Sequence, residues 1–458
     1  MSDKSGNVRI ITLGCAKNEV DSEEIAGVLR QAGYSVSGGD RADVTIINTC
    51  GFLESAKQES IAAIKKAVAE KGGGKVIVAG CLAQRMGEDL ARLAPGADGY
   101  VGVGQMGRFD QVVEQVFGRS APLMDVEPPH HRWADVPTRA RTGRPWSAYL
   151  KVSEGCDHRC TFCTIPSFRG GHASKPIERV LEEAHHLART GCKEINLIAQ
   201  DVTQYGYDLY KEFTLPKLLH QLGEVPEIEW IRILYFYPNR LTDEVIDAMA
   251  SVPNVAKYID IPLQHAHPDT LRRMKRPWDG DRYLKLFDKV RSRIPEVAIR
   301  TTYIVGFPGE TEAEFNYLVD FVREAKLDRV GAFTFSREPG TPSHDMPGQV
   351  PFRTKRERYD RLMRAQSPIS LAKNKAWEGQ SIRVLVDECK DGWIAGRSYR
   401  DAPEIDGWVY AQGDAAPGSF VTVTVSEGKE HDLYGSVAGV GLTNRLSPLR
   451  MAAPREPR

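Results

Sequence analysis

Apolar runs short enough for strands recur along this chain, and polar stretches of helical period separate them. Between 7 and 118 the runs are VRIITL, DVTIINT and KVIVAG. Near-continuous Val and Ile marks strands covered on both faces, as in a parallel sheet with crossover helices. This segment is therefore read as an open parallel α/β sheet domain. The stretch 119–147 changes texture, with EPPHH and TRARTGRPW, and reads as a Pro- and Arg-rich linker. From 148 to 377 six runs follow: KVSEG, EINLIAQ, WIRILYF, YIDIPLQ, AIRTTYIVGF and RVGAFTFS. Six strand–helix units predict a partial (β/α)6 barrel of the triosephosphate-isomerase type. Beyond 378 the runs SIRVLVDE, GWVYAQ and SFVTVTVSE are broken by Gly, Asp and Pro, which predicts a small antiparallel β-barrel over 378–440. The remainder, 441–458, reads as a mobile tail. The fold class is α/β, in several domains.

A chain of 458 residues has room for three domains. Lys plus Arg and Asp plus Glu are each 61, so no net field draws the protein to nucleic acid or to a membrane. Eight cysteines are too sparse for a secreted disulfide scaffold, and MSDKSGNVRI lacks a signal-peptide profile. No apolar run approaches the roughly 18 residues that span a bilayer. The cytoplasm is the expected compartment.

Chemistry enters with EGCDHRCTFC, in which Cys156, Cys160 and Cys163 form a CxxxCxxC loop. Three thiolates on one short loop suit a single iron–sulfur cluster and leave one iron without a protein ligand, open to substrate or cofactor. Zinc is the rival, with His158 as a fourth ligand. It is disfavoured because no second half-site of zinc spacing follows.

Three further cysteines each close a strand run: Cys15 ends VRIITLGC, Cys50 ends DVTIINTC and Cys81 ends KVIVAGC. In open parallel sheets, ligands bind beyond the carboxyl ends of the strands. Thiols emerging there from three strands can meet and hold a second cluster, again with one open iron. The competing reading is that they are ordinary buried cysteines. Cys192 and Cys389 have no such companions and are read as structural.

TLGCAKNEVDSE, NTCGFLESAKQES, SEGCDHRCTFCTIPSFRG, DIPLQHA, RTTYIVGFPGET and GRSYRDAPEIDG together resemble the radical S-adenosylmethionine methylthiotransferases over essentially the whole chain, and more narrowly their RimO branch. The resemblance implies a radical-SAM barrel at 148–377 and a TRAM-like barrel after it. It also implies that Cys156, Cys160 and Cys163 bind the radical-generating 4Fe-4S cluster and that Cys15, Cys50 and Cys81 bind an auxiliary one. It implies further that S-adenosylmethionine is cleaved to a deoxyadenosyl radical, which takes hydrogen from an aspartate β-carbon of small-subunit ribosomal protein S-twelve. The carbon then gains a methylthio group, and an electron donor is required.

Barrel enzymes place their sites at the carboxyl ends of the strands. Gln200 and Asp201, Gln264 and His265, and Arg300 are accordingly read as lining the S-adenosylmethionine or substrate pocket, with Gln200, Gln264 and Arg300 foremost. Gly306 and Gly309 would allow close backbone approach to the adenosine. His185, His186 and the charged helix around Arg353–Arg364 read as solvated.

For the substrate, the alternative is the tRNA-modifying (MiaB) branch, whose last barrel must grip phosphate. Between Glu378 and Val437 there are eleven acidic residues against five basic ones. An acidic module suits a basic ribosomal protein better than RNA. A third reading, a non-catalytic iron–sulfur electron carrier, is disfavoured by two missing fourth cysteines.

Overall fold

The computed structural model describes residues 6–37, 39, 42–129, 133 and 139–439. The stretch 441–458 read as a mobile tail lies outside the described residues.

The first sheet is entirely parallel, in the order β2-β1-β3-β4-β5-β6, with β1 at Asn7–Thr12, β2 at Ser35–Val36, β3 at Val44–Thr49, β4 at Lys75–Gly80, β5 at Gly99–Val101 and β6 at Leu123–Asp125. Alternation along the strands divides its core. Ile46, Ile77 and Ala79 pack on one face with Ile25, Leu29 and Phe109, whereas Ile47, Val76 and Val78 pack on the other with Ile61, Ile64 and Leu90. β6 lies within 119–147, so that stretch is not a free linker. Its edge strand completes the first sheet, and its Arg139 is buried between Glu23 and Glu183. Pro and Arg richness concealed a three-residue strand too short to show a period.

The central domain has six parallel strands, β7 (Ser147–Lys151), β10 (Glu194–Ile198), β11 (Trp230–Ile233), β12 (Tyr258–Asp260), β13 (Ala298–Val305) and β14 (Arg329–Thr334); a small ribbon, β8 (Ser153–Glu154) with β9 (Ala173–Ser174), sits beside the first. They form two three-stranded sheets, joined where Ile231 bridges Val255 and Phe236 N donates to Asp260 O at 2.8 Å. This is the expected partial barrel. Outward side chains such as Leu150, Ile195, Ile231 and Ile299 pack under the helices. Inward ones, Tyr149, Ile198, Tyr258 and Ala298, meet Val20 from the first helix and Ala402 from the last domain.

The last domain is a closed five-stranded barrel of β15 (Ser381–Lys390), β16 (Trp393–Ser398), β17 (Val409–Gln412), β18 (Phe420–Gly428) and β19 (Leu433–Val437), in the order β15-β16-β17-β19-β18. Most of its pairs are antiparallel, as expected, but β17 pairs in parallel with β19. The loop 398–406 leaves this barrel and enters the open side of the central one. There Arg232 donates to Ser398 O and Tyr399 O, and Arg329 pairs with Asp401 at 2.7 Å. Below it, Arg397 joins Asp387 at 2.6 Å to Glu194 at 2.5 Å. Breaking such buried pairs costs about 3 to 5 kcal/mol each, so the domains are firmly seated.

Candidate active site between two cysteine triads

Cys15 follows β1, Cys50 follows β3, and Cys81 opens the helix after β4, all at one edge of the first sheet. Gly14, at φ +96°, allows the first loop to press on the second: a Cβ there would lie 2.6 Å from the Cβ of Cys50. Asn18 ties the three loops together. Its Nδ2 donates to Leu13 O at 2.7 Å and Thr49 O at 3.0 Å, and its Oδ1 accepts from the Cys81 thiol at 3.6 Å. Ser60 Oγ accepts from Cys50 N and donates to Cys50 O.

The second triad lies on the loop after β8. Gly170 O accepts from Cys156 N, Cys160 O from Cys163 N, and Met274 O from Thr161 N. A short helix, Ile165–Arg169, then leads from Cys163 back to the first sheet. Its Phe168 packs on Cys81 and Val103. Its Arg169, 3% exposed, donates to the Cys81 sulfur at 3.1 and 3.3 Å and pairs with Asp21 at 2.8 Å and Glu154 at 2.9 Å. Six residues of near-helical chain, roughly 9 Å of rise, thus separate a thiol of one triad from a contact of the other.

Burial pushes the thiols of Cys81, Cys156 and Cys163 up to about 12. Such sulfurs ionise when a metal takes their charge. Among the described residues no three of the thiols lie within 4.8 Å of one another. One zinc ion, with Zn–S near 2.3 Å, needs sulfurs about 3.8 Å apart. His158 is also engaged elsewhere, stacked on Tyr237 at 3.6 Å with its Nε2 2.7 Å from Asp201. All-sulfur donors in threes fit an iron–sulfur cluster with one iron left open.

Around the loop of the second triad, Arg276 reaches Cys160 at 3.9 Å, lies over the Tyr237 ring and donates to Pro262 O. Gln200 lies two residues past β10: its Nε2 donates to Glu154 at 3.2 Å, and its buried Oε1 has no partner among the described residues. Gln264, past β12, has φ +72° and its backbone is bonded to Thr302 and Ile304. Left-handed backbone at a non-glycine stores strain and gathers at functional sites. His265 is fully buried, and burial pulls it down to about 3.

Arg300 is engaged within the protein. Its guanidinium is taken by Asp260 at 2.7 Å and by Asp406, on the loop from the last barrel, at 3.5 Å. It points into the barrel as its strand position requires, but a distant loop occupies that space. Gly306 is engaged likewise: a Cβ there would lie 2.3 Å from Lys355 Cγ, so its close neighbour is a helix side chain. The charged helix, Phe352–Lys375, is not wholly solvated, because Arg358 is buried on Glu310 at 2.9 Å. His185 is exposed, and Cys192 is buried with its thiol donating to Glu194 O. Asn18, Arg169, Lys17 and Arg276 escaped the sequence reading. The available signal for the first three was their adjacency to the cysteine motifs, in CAKN and SFRG.

Residues 150–322 match the Radical SAM superfamily, 7–102 match the Uncharacterized protein family UPF0004, and 379–438 match the TRAM domain. The fold is similar to that of the radical S-adenosylmethionine methyltransferase TsrM from Kitasatospora setae, solved with cobalamin and a [4Fe-4S] cluster, with TM-score 0.54 and 15% identity over 75% of this chain and 74% of that one. Curated relatives are much nearer. The "Ribosomal protein uS12 methylthiotransferase RimO" of Moorella thermoacetica is 46% identical over 92% of this chain and 96% of its own length. That of Gloeothece citriformis is 45% identical over 94% and 98%. Identity at this level along all three domains shows that the chain belongs to the RimO family of radical S-adenosylmethionine methylthiotransferases.

Proposed function

We propose that this chain inserts a methylthio group at the β-carbon of an aspartate in ribosomal protein uS12, using two 4Fe-4S clusters and S-adenosylmethionine. The observation that supports this reading is Arg169, which ends the short helix after Cys163 and donates to the Cys81 sulfur, so that the two cysteine loops lie against one another. Cys156, Cys160 and Cys163 would hold the cluster that binds S-adenosylmethionine; Cys15, Cys50 and Cys81 would hold the auxiliary one. When bound, the first cluster and S-adenosylmethionine supply a radical able to break an unactivated carbon–hydrogen bond, which no side-chain acid or base achieves. The chain's own residues do the rest by placement. Gln200 and Gln264 line the cofactor pocket, Asn18 fixes the spacing of the auxiliary loops, and Phe168 with Arg169 keeps the two triads at a set distance. An external electron donor completes the requirement.

The last barrel supports a protein substrate. Asp387, Asp401 and Asp406 are spent on internal arginines. Eight acidic and three basic side chains remain at its surface over 378–437, a surplus of five, which favours a basic partner over RNA. Among the described residues no helix is long and apolar enough to cross a membrane, and a ribosomal substrate would be met in the cytoplasm. The test offers anaerobically reconstituted protein a uS12 loop peptide and tRNA under identical conditions. Mass spectrometry should find the methylthio group on the peptide; transfer to tRNA alone overturns the reading.

A further inference from the structure

One buried cation near the first cysteine triad makes no ion pair with a carboxylate among the described residues. Lys17 is 9% exposed, on the first turn of the helix that follows Cys15. Its neighbours are satisfied: Lys151 reaches Asp21 at 2.6 Å and Glu154 at 2.9 Å, and Lys175 reaches Glu183 at 2.6 Å. No carboxylate among the described residues lies within 4 Å of the Lys17 ammonium, which rests instead over the Tyr235 ring, 4.1 Å from its centroid. Tyr235 itself has φ +68° just past β11, a conformation that bulky residues rarely hold. A buried ammonium seated on a ring, with no carboxylate in ion-pair reach, has donors to offer an incoming carboxylate.

We propose that Lys17 is a substrate-binding residue whose ammonium takes the carboxylate of the target aspartate side chain, beside the auxiliary triad. This rests on the reading of uS12 as the substrate. The chemistry suits the position. An aspartate carboxyl carbon is bonded directly to the β-carbon that reacts, so clamping the carboxylate places that carbon within a bond length. Lys17 follows Cys15 by two residues and so holds it on the auxiliary side of the site, opposite the S-adenosylmethionine loop.

The experiment is equilibrium binding to full-length, reconstituted protein without reductant, so that nothing turns over. The probes are a uS12 loop peptide carrying the target aspartate and the same peptide with asparagine there. Wild-type protein should prefer the aspartate peptide by about tenfold to a hundredfold, the range for a buried charge-assisted contact. Lys17→Met should bind both equally, and Lys17→Arg should keep part of the preference. A Lys17→Met protein with the wild-type preference overturns the proposal, as does a loss confined to S-adenosylmethionine affinity. If Lys17→Met fails to fold or to hold its clusters, the wild-type comparison still decides: equal binding of the two peptides overturns the role of Lys17 alone. Binding of neither peptide overturns the uS12 reading, and the proposal with it.

Discussion

Replacing Arg169 by methionine tests the link between the two halves of the site. The guanidinium is fully enclosed and serves Asp21, Glu154, Asn18 and the Cys81 sulfur. Methionine fills much of the same volume, so the effect is electrostatic and not a cavity. Without Arg169 the two carboxylates still have Lys151, at 2.6 and 2.9 Å, and Glu154 keeps the Gln200 amide at 3.2 Å. Removing one partner of a buried ionic cluster costs about 3 to 5 kcal/mol, and the surviving lysine holds the loss to the lower end, about 3 kcal/mol. Since about 1.4 kcal/mol is a factor of ten, amides that exchange only when this junction opens should exchange about a hundredfold faster. Native-state hydrogen exchange on the cluster-free protein reads this directly at residues 16–20 and 165–170. Removing a buried cation and a donor to sulfur should also make the reduction potential of the cluster proposed at Cys81 more negative. Unchanged exchange at both segments would refute the claim that Arg169 joins the two loops.

Cys160→Ala should abolish reductive cleavage of S-adenosylmethionine to deoxyadenosine, whereas Cys50→Ala should keep cleavage and yield no methylthiolated peptide; chromatography and mass spectrometry separate the two, and full modification by Cys50→Ala would remove the auxiliary site from the reaction. Glu19 is raised from 4.5 to about 7, by burial first and then by Glu404 and Glu23. Its folded-state value lies above the unfolded one, so the cost of ionising it is absent below about pH 4.5, grows as pH rises and is complete above about pH 7. Thermal unfolding should therefore show Glu19→Gln gaining on the wild type between pH 5 and 8; a constant difference contradicts this. Asp406→Ala removes the acceptor of Tyr258 Oη–H at 2.6 Å and of Ala402 N–H at 2.9 Å. It should loosen the loop 398–406 by about 2 to 3 kcal/mol, seen as faster limited proteolysis there.

Much of the architecture was legible because it is periodic. Ile46 and Ile47 fall on opposite faces of β3 because strand side chains alternate, and both faces are covered. The strand-ending positions of Cys50 and Cys81 follow from the same alternation ending at a glycine or a polar residue. The partners of Arg300 were not legible, for a different reason. Its strand and face were right, but Asp406 arrives from a loop more than a hundred residues later and takes its charge. Arg358 was misread in the same way, since a charged helix face looks solvated until Glu310 is known to lie beneath it.

By itself the sequence determined the six cysteines, the three domain types, the strand ends that carry the thiols and the acidity of the last barrel, all properties of neighbouring residues and local period. Tertiary structure alone decided which charges meet. Arg169 finds Asp21 and Cys81, Arg300 finds Asp406, and Lys17 finds a tyrosine ring in place of a carboxylate. Pairings over such separations leave no period in a chain. They are fixed only when three separately patterned cores close on one another and water is excluded from the space between them.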